Sequence, residues 1–259
     1  MGHADSSGWA VNLLGYWQLR LNGQPVDVGI RQQRLITVLA LHGTRSRHYV
    51  ASLLWPNSSE AQASGSLRAS VFRVSHQLPS LLCDSSEPLA LDGGVSVDFR
   101  QMRQLISEIG IAGRLAVPTD SVEVLRTADL LPGWYEDWVI FEQEQFKLQR
   151  LGALETLTRH YLTRGHLSQA IDAASAAVAI EPLRETAQLL LVRSFLAADD
   201  HVSATRVARA FHIQLEREMG IAPSRTFAAL LNGESAGEVD THALMSGGIS
   251  ARLIPKRAE

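Results

Sequence analysis

Six arginines, Arg31, Arg34, Arg45, Arg47, Arg68 and Arg73, stand in a stretch of chain, 31–78, that holds one acid, Glu60. A guanidinium offers donors in a fixed planar fork that suits phosphate oxygens and guanine edges. The stretch therefore carries +5, whereas residues 99–232 carry fourteen basic against sixteen acidic side chains, or −2. The 259-residue chain as a whole is slightly acidic at −3, so its positive charge is concentrated in one block. Such a partition fits one region that meets a polyanion and another that does not.

The other reactive side chains do not gather into a catalytic set. The histidine pairs His42/His48 and His160/His166 are six residues apart, and miss the i+3 or i+4 spacing that puts two ligands on one helix face. Asp199-Asp200-His201 falls at a turn, where polar residues are ordinary. Cys83, the single cysteine, has no basic neighbour to activate it and reads as half-buried filler. It also excludes an internal disulfide or a thiolate cluster, which fits a reducing cytoplasm. The patterns GxSxG, GxGxxG and GxxxxGK[ST] are absent. The chain reads as a non-enzyme with no cofactor and no metal.

The element that must position the arginines is ASGSLRASVFRVSHQL, Ala63–Leu78. Leu67, Val71, Val74 and Leu78 form one apolar stripe at helical spacing. The opposite face carries Gly65, Ala69, Phe72, Arg73 and His76, with Arg68 and Ser66 at its margins. It is small, weakly basic and nearly free of acids, as a helix that sinks into a DNA groove needs to be. Arg73 is placed for base contact, and Arg68 for a base or a phosphate. Ser64, Ser66 and Ser70 are phosphate donors or simply solvated. Phe72 has two readings, contact with a thymine methyl or packing on a neighbouring part of the protein, and the second is preferred. Arg31, Arg34, Arg45 and Arg47 lie near helix starts and are candidate phosphate contacts.

In chain order, Val11–Leu14, Trp17–Leu21 and Val26–Val28 read as short strands, with Asn22-Gly23 as a hairpin turn. Helices are expected at Arg31–His42, after Ser46 as far as Trp55-Pro56, and from Ser59 to Pro79. Leu89–Leu91, the turn Asp92-Gly93-Gly94 and Val95–Val97 then suggest a second hairpin. Sheet, three helices and hairpin is the order of a winged helix-turn-helix, with the third helix as reader and the hairpin as wing. Asp98 with Gln101 opens a further helix in capping-box style. Beyond Leu130 the chain is helical, at about 139–164, 167–180, 184–197, 202–219 and 223–231. Gly165 and Asp199 occupy equivalent turns thirty-four residues apart, the tetratricopeptide period, against an unrelated helical bundle as the alternative. The fold class is thus mainly α: a winged helix with a small β-sheet, then a tetratricopeptide-like helical domain. The divisions expected are a flexible start 1–8, a winged helix 9–98, a helical domain 99–232 and a flexible tail 233–259. No apolar run spans a membrane.

These segments together resemble the SARP-type activators (Streptomyces antibiotic regulatory protein family). The likeness is carried by LLGYWQLRLNGQPV (13–26), RQQRLITVLALH (31–42), LLWPNSSEAQASGSLRASVFRV (53–74) and VSVDFRQM (95–102). LLPGWYEDWVIFEQEQF (130–146), AAVAIEPLRETAQLLLVRSFLA (176–197) and LEREMGIAPS (215–224) continue it. The resemblance implies an OmpR-type winged helix followed by a bacterial transcriptional activator domain. It implies a cytoplasmic, nucleoid-associated regulator that binds promoter direct repeats in double-stranded DNA as a homodimer and contacts RNA polymerase holoenzyme. Arg68 and Arg73 would supply the groove contacts. The chain departs from the family at Ser75 and His76, where two basic residues are usual, and at Asp199, where glycine is common. A protein-interaction scaffold with a vestigial winged helix is the alternative that the first departure favours.

Overall fold

The protein is described from a computed structural model, which covers residues 8–83, 87–111, 118 and 120–231. The expected flexible tail 233–259 and most of the expected flexible start lie outside the described residues.

The N-terminal sheet grows from the Asn22-Gly23 turn. Both residues take positive φ, 49° and 80°, the twist that joins antiparallel strands tightly. Strand β1 (Trp9–Asn12) pairs antiparallel with β2 (Gln18–Leu21), and β2 with β3 (Gln24–Pro25). The third strand thus precedes the expected Val26–Val28, because pairing begins at once after the turn, Leu21 opposite Gln24.

Three helices follow. In α1 (Ile30–His42) every residue from Leu35 to Leu41 is buried, and Gly43 closes it at φ 72°. α2 (Arg47–Leu54) starts at Ser46, whose hydroxyl accepts from the Tyr49 N–H at 3.2 Å. α3 (Glu60–Gln77) starts in a full capping box between Ser59 and Gln62.

The wing is built from other residues than the sequence suggested. Leu82 pairs with Leu91, the Cys83 N–H donates to Ala90 O at 3.0 Å and the Asp92 N–H to Leu81 O at 2.9 Å. The stem is therefore 81–83 against 90–92, and Asp92–Gly94 is the turn that leaves it. The next segment, β4 (Ser96–Val97), pairs in parallel with β1, giving the sheet order β3-β2-β1-β4. Val97 is buried there, and the local hairpin would have left it without that cover.

The remaining helices are α4 (Asp98–Ile111), α5 (Ser121–Thr127), α6 (Asp137–Thr163), α7 (Leu167–Ile180), α8 (Glu185–Ala197), α9 (His201–Met219) and α10 (Arg225–Leu231). None among the described residues is long and apolar enough to cross a membrane. The α6–α7 and α8–α9 turns are copies. His166 N–H donates to Tyr161 O and Gly165 N–H to Leu162 O; Asp200 N–H donates to Phe195 O and Asp199 N–H to Leu196 O. Each is a Schellman closure, with Gly165 at φ 71° and Asp199 at φ 58°. The thirty-four-residue period is thus present in the backbone hydrogen bonds themselves.

One hydrophobic core runs from Trp9 through α1, α3 and α4 into α6 and α7. Phe99 of α4 meets Phe146 of α6 edge-on at 5.0 Å. Asp98 does not complete the expected box with Gln101, whose amide donates instead to Ser96 Oγ. Its carboxylate accepts N–H groups from Leu13 (2.9 Å), Leu14 (3.1 Å) and Phe99 (2.7 Å). Burial pushes the Asp98 carboxyl up, against the pull of these bonds. Arg100 donates to Leu39 O and Ala40 O, carbonyls at the end of α1.

Candidate nucleic-acid interface

The candidate reader, α3, is held from three sides. Ala63, Leu67, Ser70, Val74 and Leu78 are buried against α1 and α2. The Ser70 hydroxyl donates to Ser66 O at 3.0 Å, so this polar side chain enters the core with its donor satisfied and is not a phosphate contact. Just beyond the helix, Pro79 O accepts from Trp9 Nε1 at 2.9 Å, which fastens that end to the sheet.

The outer face is open. Arg68, Ala69, Phe72, Arg73, Ser75 and His76 are exposed, and Gly65 and Ser66 half-exposed. Arg68 and Arg73 are five residues apart, about 140° around the helix, and flank Phe72 on either side. Among the described residues neither forms an ion pair with an acid. Phe72 is 62% exposed, so neither the wing nor the helical half covers it, which removes the packing reading preferred from sequence. Its ring lies on that of His76, with centroids 3.9 Å apart, and His76 Nδ1 is 3.0 Å from Phe72 O. A methyl group built on Gly65 would meet nothing within 4 Å, so the protein's own packing does not require glycine there.

The four other arginines divide. Arg31 is exposed on the first turn of α1. Arg45 is exposed, with its guanidinium 5.5 Å above the Tyr49 ring and its backbone paired with Leu89 of the wing. Arg47 lies 3.5 Å from Glu87, whose other oxygen accepts the Arg47 N–H. Arg34 turns inward, which corrects its place among the phosphate candidates. Its Nε is 2.6 Å from Glu136 Oε1 and its Nη2 donates to Leu54 O at 2.9 Å, so it joins the winged helix to the start of α6. Ser64 is exposed and lines a shallow recess with His48, Trp55 and Pro56.

Sequence reasoning missed the residues that fix this face relative to the helical half. Besides Arg34 and Asp98 they include His42, whose Nδ1 is 3.8 Å from Glu142 and whose ring lies against Tyr49 and Trp138. Burial holds the His42 imidazole below its ordinary range, partly offset by Glu142. Arg150 is 3% exposed and bonded through all three guanidinium nitrogens, to Leu125 O, Arg126 O and Asp129 Oδ1, and ties α5 to α6. Their partners lie far along the chain, and nothing local marks them. Trp134 and Trp138 pack on the core, whereas Tyr135 is 82% exposed. Among the described residues no group of three or more His, Cys, Asp or Glu side chains could hold a metal ion.

Residues 123–232 match the family model of the bacterial transcriptional activator domain. The chain from α5 to the end of α10 is thus similar to a bacterial transcriptional activator domain. A winged helix ahead of this activator domain is the SARP-type architecture that the sequence resemblance implied. Among solved structures the chain is similar to Mycobacterium tuberculosis EmbR in complex with a low-affinity phosphopeptide, at 19% identity and a TM-score of 0.64. That match covers 87% of this chain and 64% of EmbR's, so the chain spans somewhat less than two thirds of EmbR's length. It shows a shared fold over the matched part of the chain. No curated protein matches the chain significantly.

Proposed function

We propose that the chain is a sequence-specific DNA-binding transcriptional regulator that lays α3 in the major groove. The observation that carries this is the outer face of α3. Two arginines stand exposed and free of acids, on a helix whose other face and whose end are anchored. Arg68 and Arg73 read base edges, and guanine O6 and N7 are the acceptors that a guanidinium fits best. Arg31, Arg45 and Ser64 contact phosphates at the flanks, while Glu87 already partly neutralises Arg47. The regulator works in the cytoplasm, at the nucleoid, as an activator. It binds promoter direct repeats as a homodimer, and its activator domain meets RNA polymerase holoenzyme. Support for a protein partner on that domain comes from Tyr135, Phe141 and Leu148, large apolar side chains 82%, 62% and 49% exposed just before α6 and along its first half.

The test is selection of binding sites from a random duplex pool by the purified chain at two salt concentrations. A direct repeat spaced near one helical turn, about 10–11 base pairs, with affinity falling steeply in salt, is the expected result. Arg68→Ala with Arg73→Ala should abolish the enrichment while the fold survives, since both side chains are exposed. No enrichment at either salt would transfer the function to a scaffold whose activator domain alone is used.

A further inference from the structure

Phe72 is the residue of the recognition face that the general reading leaves without work. A large aromatic side chain at the centre of a basic helix face costs solubility and returns no packing, because most of its surface meets solvent. Nor is it loose. The His76 ring lies on one face of it, and the Nδ1–H that donates to Phe72 O holds that ring one turn away on the same side of the helix. A preformed apolar plate therefore stands between the two arginines. In the major groove the base-pair edges offer donors, acceptors and a single apolar group, the C5 methyl of thymine. Guanidinium groups on either side reach acceptors, and the plate between them can only be matched by that methyl.

We infer that Phe72, positioned by His76, reads a thymine methyl in each half-site, so that the site contains a thymine flanked by the guanines that Arg68 and Arg73 contact. This rests on the DNA-binding reading above. The occupant is committed by charge as well as shape. A protein partner for an exposed aromatic flanked by arginines would supply acids, whereas the exposed Arg31, Arg45, Arg68 and Arg73 suit the phosphates on both sides of a groove. The Nδ1 contact with the Phe72 carbonyl keeps the His76 ring beside the plate.

The experiment uses the selected duplex and the full chain. Each thymine of the half-site is replaced in turn by deoxyuridine, which removes the methyl and leaves the pairing unchanged. One replacement should weaken binding by the wild-type chain about fourfold, the worth of one buried methyl-sized group. Phe72→Ala should bind the parent duplex more weakly and no longer distinguish thymine from uracil at that position. Its unchanged thermal melting would show that the fold is intact. Wild-type binding indifferent to deoxyuridine everywhere would overturn the inference and leave the DNA-binding reading standing. Equal sensitivity in the wild type and in Phe72→Ala would also overturn it, since another residue would then be reading the methyl. Failure of the chain to bind any duplex would remove both readings together.

Discussion

At the scale of single residues, Gly65 separates what the fold needs from what the site needs. It sits two turns before Phe72 on the same face, inside a long helix, with open space where a side chain would be. Glycine there costs roughly 0.5–1 kcal/mol relative to alanine, and nothing in the protein recovers that cost. On the DNA-binding reading proposed above, the smallness serves a surface that approaches from outside. Gly65→Ala should stabilise the free protein by about that amount and weaken its binding to the selected duplex. Thermal melting and a titration read the two effects, and unchanged affinity would mean that the groove does not come so near. The arginines show how far single residues are legible from sequence. Arg68 and Arg73 were placed correctly on an open face, because helical spacing is a local property. Arg34 looked identical in type and setting, yet its fate was decided by Glu136, which folding alone brings to it. Phe72 was misjudged for the opposite reason, since an apolar side chain invites a packing partner that the fold does not supply.

At the scale of elements, the copied turns carry a stability argument. An L-residue in the left-handed region costs about 1–2 kcal/mol, of which glycine avoids most while losing roughly 0.5–1 kcal/mol of unfolded-state freedom. Gly165 is well suited to its φ of 71°, and Asp199 is less well suited to its φ of 58°. Asp199→Gly should therefore raise the unfolding free energy by about 0.5–1 kcal/mol, measured by denaturant titration; a loss would show that the aspartate side chain supports the turn. The helices of this half were legible nearly residue by residue, because each is marked by its own periodicity and ends. The wing was not. Val95–Val97 has a tempting partner a few residues back, but β1, eighty-odd residues earlier, offers a buried edge. Local pattern cannot weigh a distant edge against a near one.

At the scale of the whole molecule, the seam between the winged helix and the activator domain is hydrogen-bonded as well as packed. Leu131 N–H donates to Leu13 O at 2.8 Å and Gly15 N–H to Asp129 O at 2.7 Å, on either side of the Leu14–Leu130 bridge. The Asp98 carboxylate takes the next N–H groups of the same strand end. Asp98→Ala would leave the Leu13 and Leu14 amides without acceptors, at about 1–3 kcal/mol for each that stays dry. Both halves should then melt together at a lower temperature. Separate transitions, with only the winged helix weakened, would show that the seam does not couple them.

The chain segment 13–15 is thus stitched to 129–131 as strand is to strand. For protein engineering this makes the reader and the activator domain a single cassette. Exchanging winged helices between relatives at the apparent boundary near residue 98 would mismatch a shared core and cut a backbone ladder. In evolution the two halves should accordingly travel and diversify together, and, if the proposed function holds, new DNA preferences should arise by substitution on the outer face of α3 and not by shuffling whole domains.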